Sequence, residues 1–276
     1  MKLALCNEVL LPLSLAEQCE AAARMGYDAL EIAPFTLTED PTTLDAAAAN
    51  QVRTTANSHG LVVSSLHWLL VKPEGLSLVT DDAALRRRTL DLLRRLIDFA
   101  AACGARVLVH GSPRQRSPEP GQSVADATAR LEAALAELAP HAAAAGVVYC
   151  IEPLGPFETN VINTVAEAAA LVDRIASPAI RTMLDVSAAS HSETDPVHEV
   201  LRTYLASGHI GHVQVNDKNR RGPGQGDTEL RPVLQVLKDM RYTGWVAVEP
   251  FEYLPDGPGC AEISARHVLN IWRDLS

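Results

Sequence analysis

Short apolar runs alternate with longer stretches of helical periodicity along the whole chain. The clearest run is Val147–Ile151 (VVYCI), whose β-branched residues fit a buried strand of a parallel sheet. Pro153 cannot donate to a strand ladder, so the strand stops and Glu152 stands at its carboxyl end. Side chains alternate, which puts Cys150 and Glu152 on one face and Tyr149 and Ile151 on the other. The same pattern predicts strands at Lys2–Leu5, Ala29–Ile32, Leu61–Leu66, Arg106–Val109, Ile180–Leu184, Ile210–Val215 and Trp245–Val248.

Helices fall between them. Ser14 with Glu17 three residues on is a capping box that opens the first, and Gly26 ends it. The second spans roughly Thr43–His59. The third is capped by Asp81, with Leu85, Leu92, Leu93, Leu96 and Phe99 in helical register up to Gly104. Others follow at Ser123–Ala145, Thr164–Ile175, Asp195 to about Leu205 with Pro196 at the favoured first position, Pro232 to about Met240, and Ala261–Trp272. His67–Thr80 and Ser112–Gly121 are long loops. Eight strands and eight helices in strict alternation, with no repeat or linker, demand parallel pairing through helical crossovers. Eight units suggest one closed (β/α)8 barrel over residues 1–276, and such barrels run to about 250 residues. No GxGxxG follows the first strand, which weakens a dinucleotide-binding alternative.

Composition narrows the partners. The 47% hydrophobic share is ample for a large core, and 24 basic against 34 acidic side chains give a net charge of -10. Nucleic acid and anionic membrane are thereby disfavoured as main partners. Five dispersed cysteines without CxxC fit a reduced, cytoplasmic setting. The N-terminal run is interrupted by Asn7 and Glu8 and lacks a small-residue cleavage site, so no signal peptide is expected. No apolar run reaches the ~18 residues of a membrane span.

The chemistry gathers at strand ends, the face where barrels of this kind carry their active sites. Glu152 (CIEP), Asp185 (TMLDVS), Gln214 (HVQVND) and Glu249 (AVEP) close strands five to eight. By alternation all four point inward. Each alone would serve as a helix cap or ion-pair partner. Together in one apolar mouth, three carboxylates repel one another unless a cation sits between them. Oxygen ligands select a hard ion, Mn²⁺ or Mg²⁺, ahead of Co²⁺ or Zn²⁺. His110, ending VLVH, is expected to face the barrel and touch substrate, and His67 and Trp68 to wall the pocket. His212 lies one layer below Gln214, as a core residue or a partner of Gln214 or a carboxylate. Asn7 and Glu8 are assigned structural roles, and Arg220–Arg221 with GPGQG could hold an acid group.

This pattern resembles the xylose-isomerase-like sugar phosphate isomerase/epimerase superfamily over essentially the whole chain. GHVQVNDKNRRGPGQGD is its most specific piece, similar to ketose 3-epimerases, which usually carry HxH there, and to hydroxypyruvate isomerases, which carry HxQ. The resemblance implies that Glu152, Asp185, Gln214 and Glu249 hold one divalent ion and that Glu152 and Glu249 are the acid/base pair on opposite sides of the substrate carbon. It also implies that Glu158 and Arg220 bind substrate, and it allows for a homo-oligomer. The family's usual His three residues after the strand-six Asp is Ala188 here. The activity implied is proton transfer through an enediolate of a small ketose or hydroxy-keto acid. A lyase or dehydratase acting on a keto-sugar or cyclic keto-acid at the same residues, and a non-catalytic sugar-binding barrel, are the alternatives.

Overall fold

The computed structural model describes residues 1–275. Eight strands close into a barrel in sequence order, each paired parallel with its neighbours. They are β1 (Lys2–Cys6), β2 (Ala29–Ile32), β3 (Val62–Leu66), β4 (Val107–His110), β5 (Val148–Ile151), β6 (Ile180–Asp185), β7 (Ile210–Val215) and β8 (Trp245–Val248). The crossover helices are α1 (Leu15–Met25), α2 (Ala46–Ser58), α3 (Ala83–Cys103), α4 (Pro113–Arg116), α5 (Val124–Ala145), α6 (Val165–Ile175), α7 (Val186–Ser192), α8 (Val197–Ala206), α9 (Leu230–Asp239) and α10 (Gly257–Asp274). The expected single (β/α)8 barrel is therefore the observed fold.

Local chemistry explains where the boundaries moved. The expected capping box Ser14/Glu17 forms, and the structure adds a second, Thr164/Glu167, at the start of α6. The α2 helix begins later than expected because Asp45, accepting from the Ala48 N–H at 2.9 Å, is its cap. Asp82 and not Asp81 caps α3, leaving Asp81 to pair with Arg130. Pro196 sits at the N-cap of α8, one position before the expected one, and α9 opens at Leu230, two residues before Pro232. The two extra helices, α4 and α7, are too short to show periodicity. Among the described residues there are ten α-helices, not eight. None is long and apolar enough to cross a membrane.

Two cores result. The larger lies between sheet and helices. Inside the barrel, Val107, Val109, Cys150 and Met183 pack together, while Cys6, Glu31, Ser65, His67, His212 and Gln214 make the β1–β3 and β7 side polar. This packing fixes the parity of β4 and corrects one expectation. Val109 points inward beside Cys150, so His110 points outward with Leu108. Its ring lies wholly buried in the sheet–helix layer, Nδ1 2.7 Å from the Tyr149 hydroxyl. Burial and the nearby Arg116 cation push its pKa down to about 3, so the imidazole is neutral. His110 does not reach the mouth.

Candidate active site

At the carboxyl end of the barrel, ligand oxygens of Glu152, Asp185 and Glu249 lie within 4.8 Å of one another. None of the three residues is more than 5% exposed. Each is held from outside the mouth. Asp185 caps α7 by accepting from the Ala188 N–H at 2.7 Å, and its other oxygen accepts from Asn216 Nδ2 at 2.7 Å. Asn216 also donates to the Glu249 carbonyl at 3.0 Å, locking the tips of β6 and β8 together. A carboxylate has lone pairs enough to cap a helix and still face the mouth. Behind Glu152, the buried Arg116 donates to its carbonyl at 2.8 Å and to the carbonyls of His110 and Ile162. Gly111 is needed at its place: a β-carbon there would collide with Glu152 Oε2.

Gln214 is the register partner of Asp185 on the neighbouring strand. Its Nε2 donates to Glu31 Oε1 at 2.6 Å, while its Oε1 is buried without a partner. Glu249 Oε2 is likewise unpartnered. Buried acceptors without donors are rare in folded proteins and ask for an explanation. The carboxylates agree. Burial and the charges of Glu249, Asp185 and Glu158 raise Glu152 well above the ordinary range. Burial pushes Asp185 up to about 7, against the help of Ala188 and Asn216. It pushes Glu249 up to about 8, against His67. Clustered carboxylates that resist ionisation, beside an amide oxygen with nothing to accept, fit a hard divalent cation by donor type and placement.

Glu8 and His67 do something the sequence did not disclose. His67 bridges Glu8 and Glu249, with Nε2 2.9 Å from Glu8 and Nδ1 3.0 Å from Glu249. Burial opposes charge on this ring, but Glu8, Glu249 and Glu31 outweigh it and raise its pKa well above the ordinary value. Both nitrogens being engaged, His67 anchors Glu249 and does not wall the pocket as expected. Asn7 has the structural role assigned to it, bonding Gln18, Thr36 and the Ala33 N–H. His212 Nε2 lies 2.7 Å from Glu31 Oε2. Burial opposes the Glu31 charge, but His212, His67 and Ser65 keep its pKa below the carboxylate range. Glu31, Arg116 and Asn216 are the site residues missed from sequence. An acidic residue inside the buried run of β2 was the available signal for Glu31, and Asn216 stood two residues past Gln214; Arg116 gave none.

A narrow cleft opens onto Glu152 and Glu249. Trp68, Pro113, Leu154 and Phe251 supply apolar walls, and Glu158 and Ser112 add polar groups. Trp68 therefore stands where it was expected. Glu158 and Arg220 come together, with Arg220 Nη1 3.4 Å from Glu158 Oε1. The guanidinium lies 4.2 Å from the Phe251 ring centre and 5.3 Å from that of Phe157. Arg221 is instead tied to Glu252. His191 does not replace the absent His at position 188. Its Nε2 contacts the Lys218 carbonyl at 3.0 Å and its ring meets Phe157 edge-on.

A family model described as xylose isomerase-like TIM barrel matches residues 19–270. The chain belongs to that family. Among individual family members, it is 29% identical over 264 residues to a D-psicose 3-epimerase of Agrobacterium fabrum, covering 93% of this chain and 84% of that protein. It is 28% identical over 236 residues to a probable ketose 3-epimerase of Synechocystis sp., covering 84% and 77%. A crystal structure of D-psicose 3-epimerase in the presence of D-fructose superposes with a TM-score of 0.83 at 23% identity, over 99% of this chain and 98% of the other. That likeness establishes the shared fold.

Proposed function

We propose that this chain is a divalent-metal-dependent ketose 3-epimerase, with Mn²⁺ or Mg²⁺ as its ion. The carrying observation is the pair Glu152 and Glu249 at the tips of β5 and β8, beside two unpartnered oxygens on Glu249 and Gln214. The named ketose 3-epimerase relatives point the same way. Glu152, Asp185, Gln214 and Glu249 would hold the ion, which when bound supplies positive charge to a substrate oxygen as the enediolate develops. The residues do the rest. One of Glu152 and Glu249, as carboxylate, takes the proton from the carbon next to the carbonyl. The other, as acid, returns a proton to the opposite face, and the roles exchange in the reverse direction. Glu158 and Arg220 hold substrate oxygens, and Trp68 and Phe251 exclude water. Turnover of a ketose panel in D₂O with added Mn²⁺ tests this. One deuterium at carbon 3 of the epimer formed supports it; loss of water with a new alkene signal overturns it in favour of a lyase, and no turnover of any ketose refutes it.

Glu31 orients Gln214 in this scheme. By accepting from Nε2 it turns Oε1 toward the mouth. Glu31→Gln offers an amide that donates to Gln214 Oε1 and competes for it. Mn²⁺ affinity is expected to fall about 10- to 100-fold, the usual effect of losing a partner behind a ligand. Calorimetric titration of the folded variant measures it, and a Kd within twofold of wild type contradicts it.

A further inference from the structure

Ser112 lines the cleft, is 3% exposed, and its hydroxyl has no partner within the protein. It stands at the N-cap of α4, where a serine side chain ordinarily accepts from the first helical N–H groups. It makes no such bond, because its backbone is left-handed, φ 42° and ψ 60°, whereas a capping residue is extended. That region is sparsely populated by residues other than glycine, asparagine and aspartate. The preceding Gly111 is pressed against Glu152, so the strained residue is held beside a reacting carboxylate. Trp68, Leu154, Phe251 and the carboxylates of Glu152 and Glu158 line the same cleft, yet none of them bonds the hydroxyl. Strain of this kind persists where surrounding structure enforces it, and it gathers at ligand sites.

We infer that Ser112 is a specificity-determining contact, its hydroxyl hydrogen-bonding one hydroxyl of the ketose on the Glu152 side of the cleft. The inference rests on the ketose reading above. It defines the substrate class further: a polyhydroxylated ketose with a hydroxyl directed at β4 and its C–H surfaces against Trp68 and Phe251.

The test pairs residue with substrate. The ketose turned over best by wild type, and its 4-, 5- and 6-deoxy analogues, are assayed with wild type, Ser112→Ala and Ser112→Gly. On the parent ketose both variants lose roughly three- to tenfold in kcat/KM, the worth of one neutral hydrogen bond. On one analogue the loss disappears, since the missing hydroxyl was the partner. Ser112→Gly also melts higher than Ser112→Ala, because glycine adopts the left-handed backbone freely. The loss confined to substrates that carry one particular hydroxyl is what a merely structural serine would not show. Variants within twofold of wild type on the parent, or equally impaired on every analogue, overturn the assignment while the epimerase stands. A wild type active on no ketose overturns both.

Discussion

Glu152→Gln and Glu249→Gln are each expected to cut epimerisation by about 10²- to 10⁴-fold, the usual span for removing a general acid or base, at saturating Mn²⁺. The substitutions keep side-chain shape, so the fold should survive; circular dichroism and melting temperature check it. Metal-free, Glu152→Gln should melt no lower than wild type, because a buried carboxyl that resists ionisation gives way to a neutral amide of its shape. The two variants should differ in a specific way. Epimers at carbon 3 present their hydrogens to opposite faces. Each variant should therefore still wash deuterium into the epimer facing its remaining carboxylate, and not into the other. Wild-type turnover in either variant would remove both residues from the chemistry. Identical exchange patterns in both would show that the carboxylates do not divide the faces between them.

The barrel was legible because its determinants are local and repeated. Eight apolar strand runs and their caps are visible one by one, and strict alternation leaves few topologies. The cluster of strand-end carboxylates was legible for the same reason: a strand's parity, once anchored at Glu152, orients its neighbours. His110 shows where that logic fails. Parity on β4 is set by Val109 packing against Cys150 and Met183, contacts with two other strands, and nothing within VLVH reveals them. His67 and Glu31 failed differently. Their positions were visible, but their partners, Glu8 with Glu249 and Gln214 with His212, come from strands distant in the chain. Arg116 is a buried cation whose partners are backbone carbonyls, which no residue pattern encodes.

Binding of Mn²⁺ should tighten steeply between pH 6 and 8, and the metal-free protein should lose stability over that same range. Both follow from Asp185, raised to about 7 from 3.8, and Glu249, raised to about 8 from 4.5. A carboxylate with a raised pKa in the folded state keeps its proton there while the unfolded chain has already lost it. Its contribution is therefore fully present below about pH 4 and is lost as pH rises through 7 and 8. As these groups ionise, the folded protein comes to carry buried, mutually repelling charges, and its melting temperature should fall by roughly 5–10 °C between pH 6 and 8.5. A bound divalent ion removes the repulsion, but only by displacing those protons. Affinity should thus rise about tenfold per pH unit for each proton released. The stabilisation produced by saturating Mn²⁺ should widen with pH in step. Thermal melts with and without Mn²⁺, and calorimetric titrations at pH 6, 7 and 8, measure the two effects independently. Gln214 carries no proton, so Gln214→Ala should weaken binding by a similar factor at every pH and leave the slope unchanged. A pH-independent affinity in wild type would mean that Asp185 and Glu249 are not the groups that meet the ion.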